Sequence, residues 1–124
     1  MSFVYDWDLV LTSFQGLYER NKDSSNGNTR YYARHGLAMA ALIPQIRDLD
    51  VFRDVELNIS ILQLLINSKT AGVSVRLGSR GIETEHDYIV WAYYSQSQQK
   101  QTYEFDSDNI VSGLYDIFSV KPNA

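Results

Sequence analysis

The chain has no cysteine, which excludes a disulfide framework, a thiolate metal site and a cysteine nucleophile. Histidine occurs only twice, at His35 and His86, so imidazole-based acid–base chemistry has two places to sit. Long apolar runs are missing too. The longest, "LAMAALI" from Leu37 to Ile43, is far short of the ~20 residues that cross a bilayer. Bases are scarce relative to acids, eleven against fifteen, for a formal net charge of −4. That balance argues against a nucleic-acid partner, because affinity for a phosphate backbone comes from clustered Lys and Arg. The start, "MSFVYDWD", has neither a basic opening nor an extended apolar stretch, so no secretion signal is expected. Together these absences predict a soluble, acidic protein of a reducing, cytoplasmic compartment with no membrane partner.

The best-marked catalytic signatures are also missing. "GSRG", Gly78 to Gly81, lacks the Lys-Ser/Thr of a P-loop and joins two strands where a P-loop would open a helix. No two histidines flank a glutamate at helical spacing. No Gly-x-Ser-x-Gly nucleophile elbow occurs. Nothing in the sequence calls for a cofactor or a bound metal.

What is present is ordinary globular material enriched in tyrosine: 44% hydrophobic residues, 13% aromatics and nine tyrosines. A chain of 124 residues can bury roughly two-thirds of the surface that its unfolded form exposes. We expect one globular domain over residues 1–120 and a short C-terminal tail over 121–124.

Trp7, Val10, Leu11, Phe14, Leu17 and Tyr18 recur at i, i+3, i+4 and i+7, the stripe of an amphipathic helix that Asp6 can cap. "NKDSSNGNT", Asn21 to Thr29, holds no apolar residue and is rich in turn formers, which predicts a solvent loop with Thr29 as the next cap. A second helix follows, with Tyr32, His35, Met39, Leu42 and Ile46 on one stripe and a kink or restart at Pro44. Residues 50–67 are ambiguous. Phe52, Val55, Ile59, Leu62 and Ile66 keep helical spacing, whereas Val55, Leu57 and Ile59 alternate as in a strand. Eighteen residues without Gly or Pro favour a helix on length, with a short strand over Val55–Ile59 as the alternative.

The second half changes period. "AGVSVRLGS" alternates Val73, Val75 and Leu77 with Ser74 and Arg76, and "QTYEFD" alternates Tyr103 and Phe105 with Thr102 and Glu104; both read as half-buried strands. Between them "DYIVWAYYS" is apolar or aromatic from Tyr88 to Tyr94, joined to its neighbours by links short enough for hairpins. "SDNIVSGLYDIFSV" reads as a closing helix capped by Asp106 or Ser107. The expected fold is therefore α+β: a helical first half, a three-stranded antiparallel meander and a C-terminal helix packed on the sheet.

The central strand poses the functional question, since it has two apolar faces where its neighbours have one. If "SQSQQ" is an odd-length loop, Ile89 and Trp91 share the core face with Tyr103 and Phe105. The opposite face then carries Tyr88, Val90, Ala92 and Tyr94 beside Arg76, Ser74, Thr102 and Glu104. An even loop swaps the faces. A Tyr- and Arg-bearing face has the composition of a protein interface, so the expected function is a non-catalytic protein-binding module. An inhibitor, immunity factor, secretion chaperone or adaptor would fit, as would self-association into a homodimer. The expected contact set is Tyr88, Val90, Tyr94, Arg76 and Glu104. The alternative is a small enzyme or ligand-binding domain in which His35 acts as a general base and Arg34 and Arg30, one turn apart, hold an anion. Two weaker constellations remain. His86 with Glu83, Glu85 and Asp87 could ligate a metal only through a bend, and Arg20, Lys22, Arg30 and Arg34 form a local basic cluster.

Overall fold

The structure, a computed structural model, describes residues 5–60, 62–79 and 88–119. Its elements run α1 (Trp7–Asn21), α2 (Gly27–Ile46), a 3-10 turn (Asp50–Phe52), β1 (Glu56–Ser60), β2 (Gln63–Ser68), β3 (Val73–Ser79), β4 (Tyr88–Tyr94), β5 (Gln99–Phe105) and α3 (Ile110–Phe118). The class is α+β as expected. The sheet is larger than expected, with five antiparallel strands in the order β1-β2-β3-β4-β5.

The two additional strands come from the ambiguous stretch. Residues 50–67 do not form the helix that length favoured; the chain makes a 3-10 turn and then a tight hairpin in which Ser60 pairs with Gln63 and Leu57 with Ile66. Leu57, Leu64 and Ile66 are buried, whereas Glu56, Asn58 and Ser60 are exposed, the period-2 pattern of a half-buried ladder. Eighteen residues are too many for one strand but suffice for two with a two-residue link. The link, residues 61 and 62, carries no Gly, Pro or Asn to announce it.

α1 starts where Asp6 accepts the Leu9 N–H at 2.7 Å, a side-chain cap, and buries Val10 and Phe14. α2 begins earlier than expected, at Gly27, so Thr29 lies within its first turn and does not cap it. The Thr29 hydroxyl donates to the Asn26 carbonyl at 2.9 Å, and the Arg30 N–H closes the first helical bond on the same carbonyl. The helix runs through Pro44 without interruption. At Gly36 the two helices touch: a β-carbon there would lie 2.7 Å from the Phe14 carbonyl oxygen and 2.9 Å from the Tyr18 nitrogen. Arg47 reaches back across the pair to Asp8 at 2.8 Å.

His35, Met39, Leu42 and Ile46 of α2 are buried as expected, while Tyr32 is exposed. In α3, Ile110, Leu114, Ile117 and Phe118 are buried, and Asp106 accepts the N–H groups of Asp108 and Asn109 just ahead of the helix. Phe118 meets Phe52 edge-on at 4.8 Å, and Gly113 lies against the Phe105 ring. α3 therefore crosses beneath the sheet, from β5 towards the start of β1. One core unites the three helices with a single face of the sheet, through Leu57, Leu64, Ile66, Val73, Val75, Leu77, Tyr88, Val90 and Ala92.

Candidate functional site

Which face of β4 is inside follows from its partners. Leu77 pairs with Val90, Val75 with Ala92 and Val73 with Tyr94 on one side. Tyr88 pairs with Phe105 and Val90 with Tyr103 on the other. The connection from β4 to β5 is the four residues 95–98, because Gln99 joins the strand opposite Tyr94. Its length is even, so the faces are the reverse of those expected. Tyr88, only 3% exposed, and Val90 belong to the core, and Tyr94 is half-buried on the same side.

Packing explains the choice. Val90 and Ala92 are small enough for helices to close on them, and the Tyr88 hydroxyl donates to the Ala38 carbonyl of α2 at 3.0 Å. Burial pushes the ionisation of that hydroxyl up. Tyr94 and Tyr103 share a hydroxyl–hydroxyl bond of 2.8 Å, and burial, then that bond, push Tyr94 upward. A buried phenol with a partner is stable in a core; an indole between closely packed helices and strands would not have fitted the space of an Ala.

The outer face is consequently built from Gln63, Leu65 and Asn67 of β2, Ser74, Arg76 and Gly78 of β3, Ile89, Trp91 and Tyr93 of β4, and Lys100, Thr102 and Glu104 of β5. Register orders them into rows. Leu65, Arg76, Trp91 and Thr102 are successive cross-strand neighbours, and Asn67, Ser74, Tyr93 and Lys100 form the next row. Neighbours on such a row have β-carbons roughly 4.5–5.5 Å apart, so Arg76 is flanked by Leu65 and Trp91. Ser74 is fixed by donating to Asn67 Oδ1 at 2.8 Å. Trp91 is 39% and Tyr93 38% exposed, and no described helix covers them. The rows enclose a groove of about 850 Å³ along this face, lined among others by Leu65, Arg76, Trp91, Tyr93 and Lys100. Arg76 and Lys100 make no ion pair among the described residues.

A smaller cavity of about 500 Å³ adjoins the groove and shares Gln63, Arg76 and Trp91 with it; Tyr31, His35 and Gly78 complete its wall. His35 is 2% exposed. Its Nδ1 faces the Ser79 carbonyl at 3.2 Å and its Nε2 faces the Leu62 carbonyl. Two carbonyl partners favour the doubly protonated ring, but burial opposes the charge and is the larger influence, so the ring loses its proton more readily than an ordinary histidine. In the neutral ring one nitrogen carries a proton and donates to one of these two carbonyls, which ties α2 to the end of the sheet.

Of the residues expected to bind a partner, the structure leaves Arg76 and Glu104 on the open face and withdraws Tyr88, Val90 and Tyr94 from it. Trp91, Tyr93, Leu65 and Lys100 replace them. Of the alternative ligand set, His35 lines the smaller cavity; Arg30 is exposed and Arg34 half-buried, and neither contributes to that cavity's wall. In the basic cluster Lys22 is paired with Glu19 at 2.8 Å. The group around His86 lies outside the described residues, as does the tail 121–124. Among the described residues no set of three His, Asp or Glu side chains could hold a metal, and no helix is long and apolar enough to cross a membrane. In comparisons with known proteins, no family model, curated protein or solved structure matches this chain.

Proposed function

We propose that the protein is a non-catalytic protein-binding module that docks its partner on the open face of the sheet, around Trp91. The observation that carries this reading is one-sided packing: all three helices lie on one face, and the other presents a grooved surface with Trp91 and Tyr93 on one strand and Arg76 beside the Trp. Trp, Tyr and Arg are the side chains that dominate binding energy at protein interfaces. Exposed apolar side chains grouped on a face and rimmed by polar residues mark contact sites.

Charge narrows the partner. Arg76 at the centre of the groove and Lys100 at its margin lack acidic partners among the described residues, in a chain whose net charge is −4. A complementary surface brings carboxylates to those two cations and an apolar side chain to the Trp91–Tyr93 ridge. The catalytic alternative is weaker because His35 is buried and both of its nitrogens face backbone carbonyls and not the open cavity.

The test compares capture from the native host's lysate by the wild type, Trp91→Ala, Arg76→Glu and, as a control for generic stickiness, Tyr115→Ala on α3. The reading expects a species retained by the wild type and by Tyr115→Ala, lost with the two groove variants, and released as salt rises. Equal capture by all four proteins would remove the open face from consideration.

A further inference from the structure

The two edges of the sheet are not equivalent. The β1 edge is blunted by Tyr5, which bridges to Leu57. β5 is the other edge, seven residues from Gln99 to Phe105, paired only with β4. In an antiparallel pair alternate residues turn their N–H and C=O groups away from the partner, so half of the backbone polar groups of β5 point outward. Its register against β4 is unbroken from Gln99 to Phe105, so no bulge twists this edge away, and no proline interrupts it. α3 leaves from beside Phe105 and crosses under the sheet to Phe52, away from this edge. An unbroken edge that no described strand pairs with is a template for another strand.

The sequence of that edge, "QKQTYEF", is matched to itself. Turned by a two-fold axis through Thr102, an antiparallel second copy of β5 places Thr102 opposite Thr102, Lys100 opposite Glu104 and Glu104 opposite Lys100. Gln101 falls opposite Tyr103 and Gln99 opposite Phe105. Lys100, Thr102 and Glu104 all project from the open face, so both opposite-charge pairs and the Thr–Thr pair lie on the same side of the joined sheet. Cross-strand pairs of these types are favourable, and like charges directly opposite are unfavourable. Parallel in-register pairing of the same edge would align Lys100 with Lys100 and Glu104 with Glu104, so the same two residues favour the antiparallel arrangement over the parallel one.

We propose that the protein self-associates as a two-fold dimer through β5, forming a continuous ten-stranded antiparallel sheet whose register is set by the reciprocal Lys100–Glu104 pairs. The closed symmetry consumes the β5 edge and leaves Tyr5 guarding the two outer edges of the assembly. The overall negative charge of two copies opposes their approach, but over distances beyond the Debye length of about 8 Å at physiological salt that repulsion is screened. The Lys100–Glu104 pairs act at contact, inside that length. An interface of one strand per copy is small beside those of permanent dimers, so the dimer dissociates on dilution.

Sedimentation equilibrium from micromolar to millimolar protein, with folding checked by circular dichroism, tests this directly. The wild type is expected to move from the mass of one chain to that of two. Lys100→Glu, which sets four acids along the shared edge, is expected to stay monomeric. The double variant Lys100→Glu/Glu104→Lys restores opposite charges in the same register and is expected to dimerise again. A wild type that remains monomeric at millimolar concentration overturns the proposal. So does a dimer indifferent to Lys100→Glu, or one that the double exchange fails to restore. A dimer abolished by Trp91→Ala and untouched by Lys100→Glu would assign self-association to the open face and overturn the edge assignment as well.

Discussion

β4 presents Tyr88, Val90, Ala92 and Tyr94 on one face and Ile89, Trp91 and Tyr93 on the other, two sets of similar apolar content with different fates. Tyr88, Val90 and Ala92 of the inner set are buried and Tyr94 is half-buried, and the deep Tyr88 hydroxyl is satisfied by Ala38. The outer set borders an open groove between Arg76 and Thr102. Apolar character alone therefore does not decide burial in a central strand. Size and the company kept across the strands do, because a face of Val, Ala and Leu lets helices approach closely, whereas an indole beside a guanidinium does not.

The sharpest way to test that contrast is to remove side chains from the inner face. Leu77→Ala, on the neighbouring strand and fully buried, is expected to cost about 2–5 kcal/mol through lost transfer energy and a residual cavity, read as a lowered midpoint in urea unfolding. A cost below the error of that measurement would mean that the helices do not close on this face. Next comes the helix pair that does the sealing. Gly36→Ala inserts a methyl group where the α1 backbone is 2.7 Å away, and overpacking of this kind is expected to cost about 1–3 kcal/mol. Thermal unfolding checks it; an unchanged Tm would show that α1 can retreat freely.

Tyr88→Phe isolates the hydroxyl from the ring and is expected to lose about 1 kcal/mol, the net worth of one buried hydrogen bond. Full-strength stability in the variant would mean that the hydroxyl is not bonded to α2. The smallest stability effect is expected on the outer face, where Trp91→Ala should stay within about 0.5 kcal/mol, the range of surface substitutions, while abolishing partner capture. A loss as large as that of Leu77→Ala would erase the distinction between the faces.

His35 adds a pH arm at the corner where the two faces meet. Its folded-state proton affinity is depressed, chiefly by burial, so the unfolded chain binds a proton that the folded chain refuses. Stability from this group is complete above its ordinary value of 6.5 and falls as pH drops below that value towards the lower folded one. Unfolding curves at pH 7 and pH 5 should therefore separate more for the wild type than for His35→Gln. Equal separations would indicate that His35 titrates as it would in the open chain.

Much of this was legible in the order of the residues. The helical stripes of α1 and α2, Asp6 as a cap, the half-buried periods of β3 and β5 and the closing helix all follow from spacing and turn chemistry. The β1–β2 hairpin was hidden because its link has no turn residues and its apolar positions also fit a helical repeat. The site was half-hidden. Arg76 and Glu104 were readable as outward residues, since their strands alternate cleanly, but Tyr88, Val90 and Tyr94 were exchanged for Ile89, Trp91 and Tyr93. The pairing of polar Arg76 with Trp91 is the signal that would have corrected the assignment, given the register.

The sequence by itself determined which segments are helices and strands in most of the chain, because periods of 3.6 and 2 are local properties of successive side chains. Only the tertiary structure decided the phase of β4. A strand apolar on both sides has a period but no phase, and a one-residue change in the loop before β5 turns every side chain over. The phase was set by partners distant in sequence: Val73, Val75 and Leu77 on one side, Tyr103 and Phe105 on the other, and the Ala38 carbonyl that accepts the Tyr88 hydroxyl.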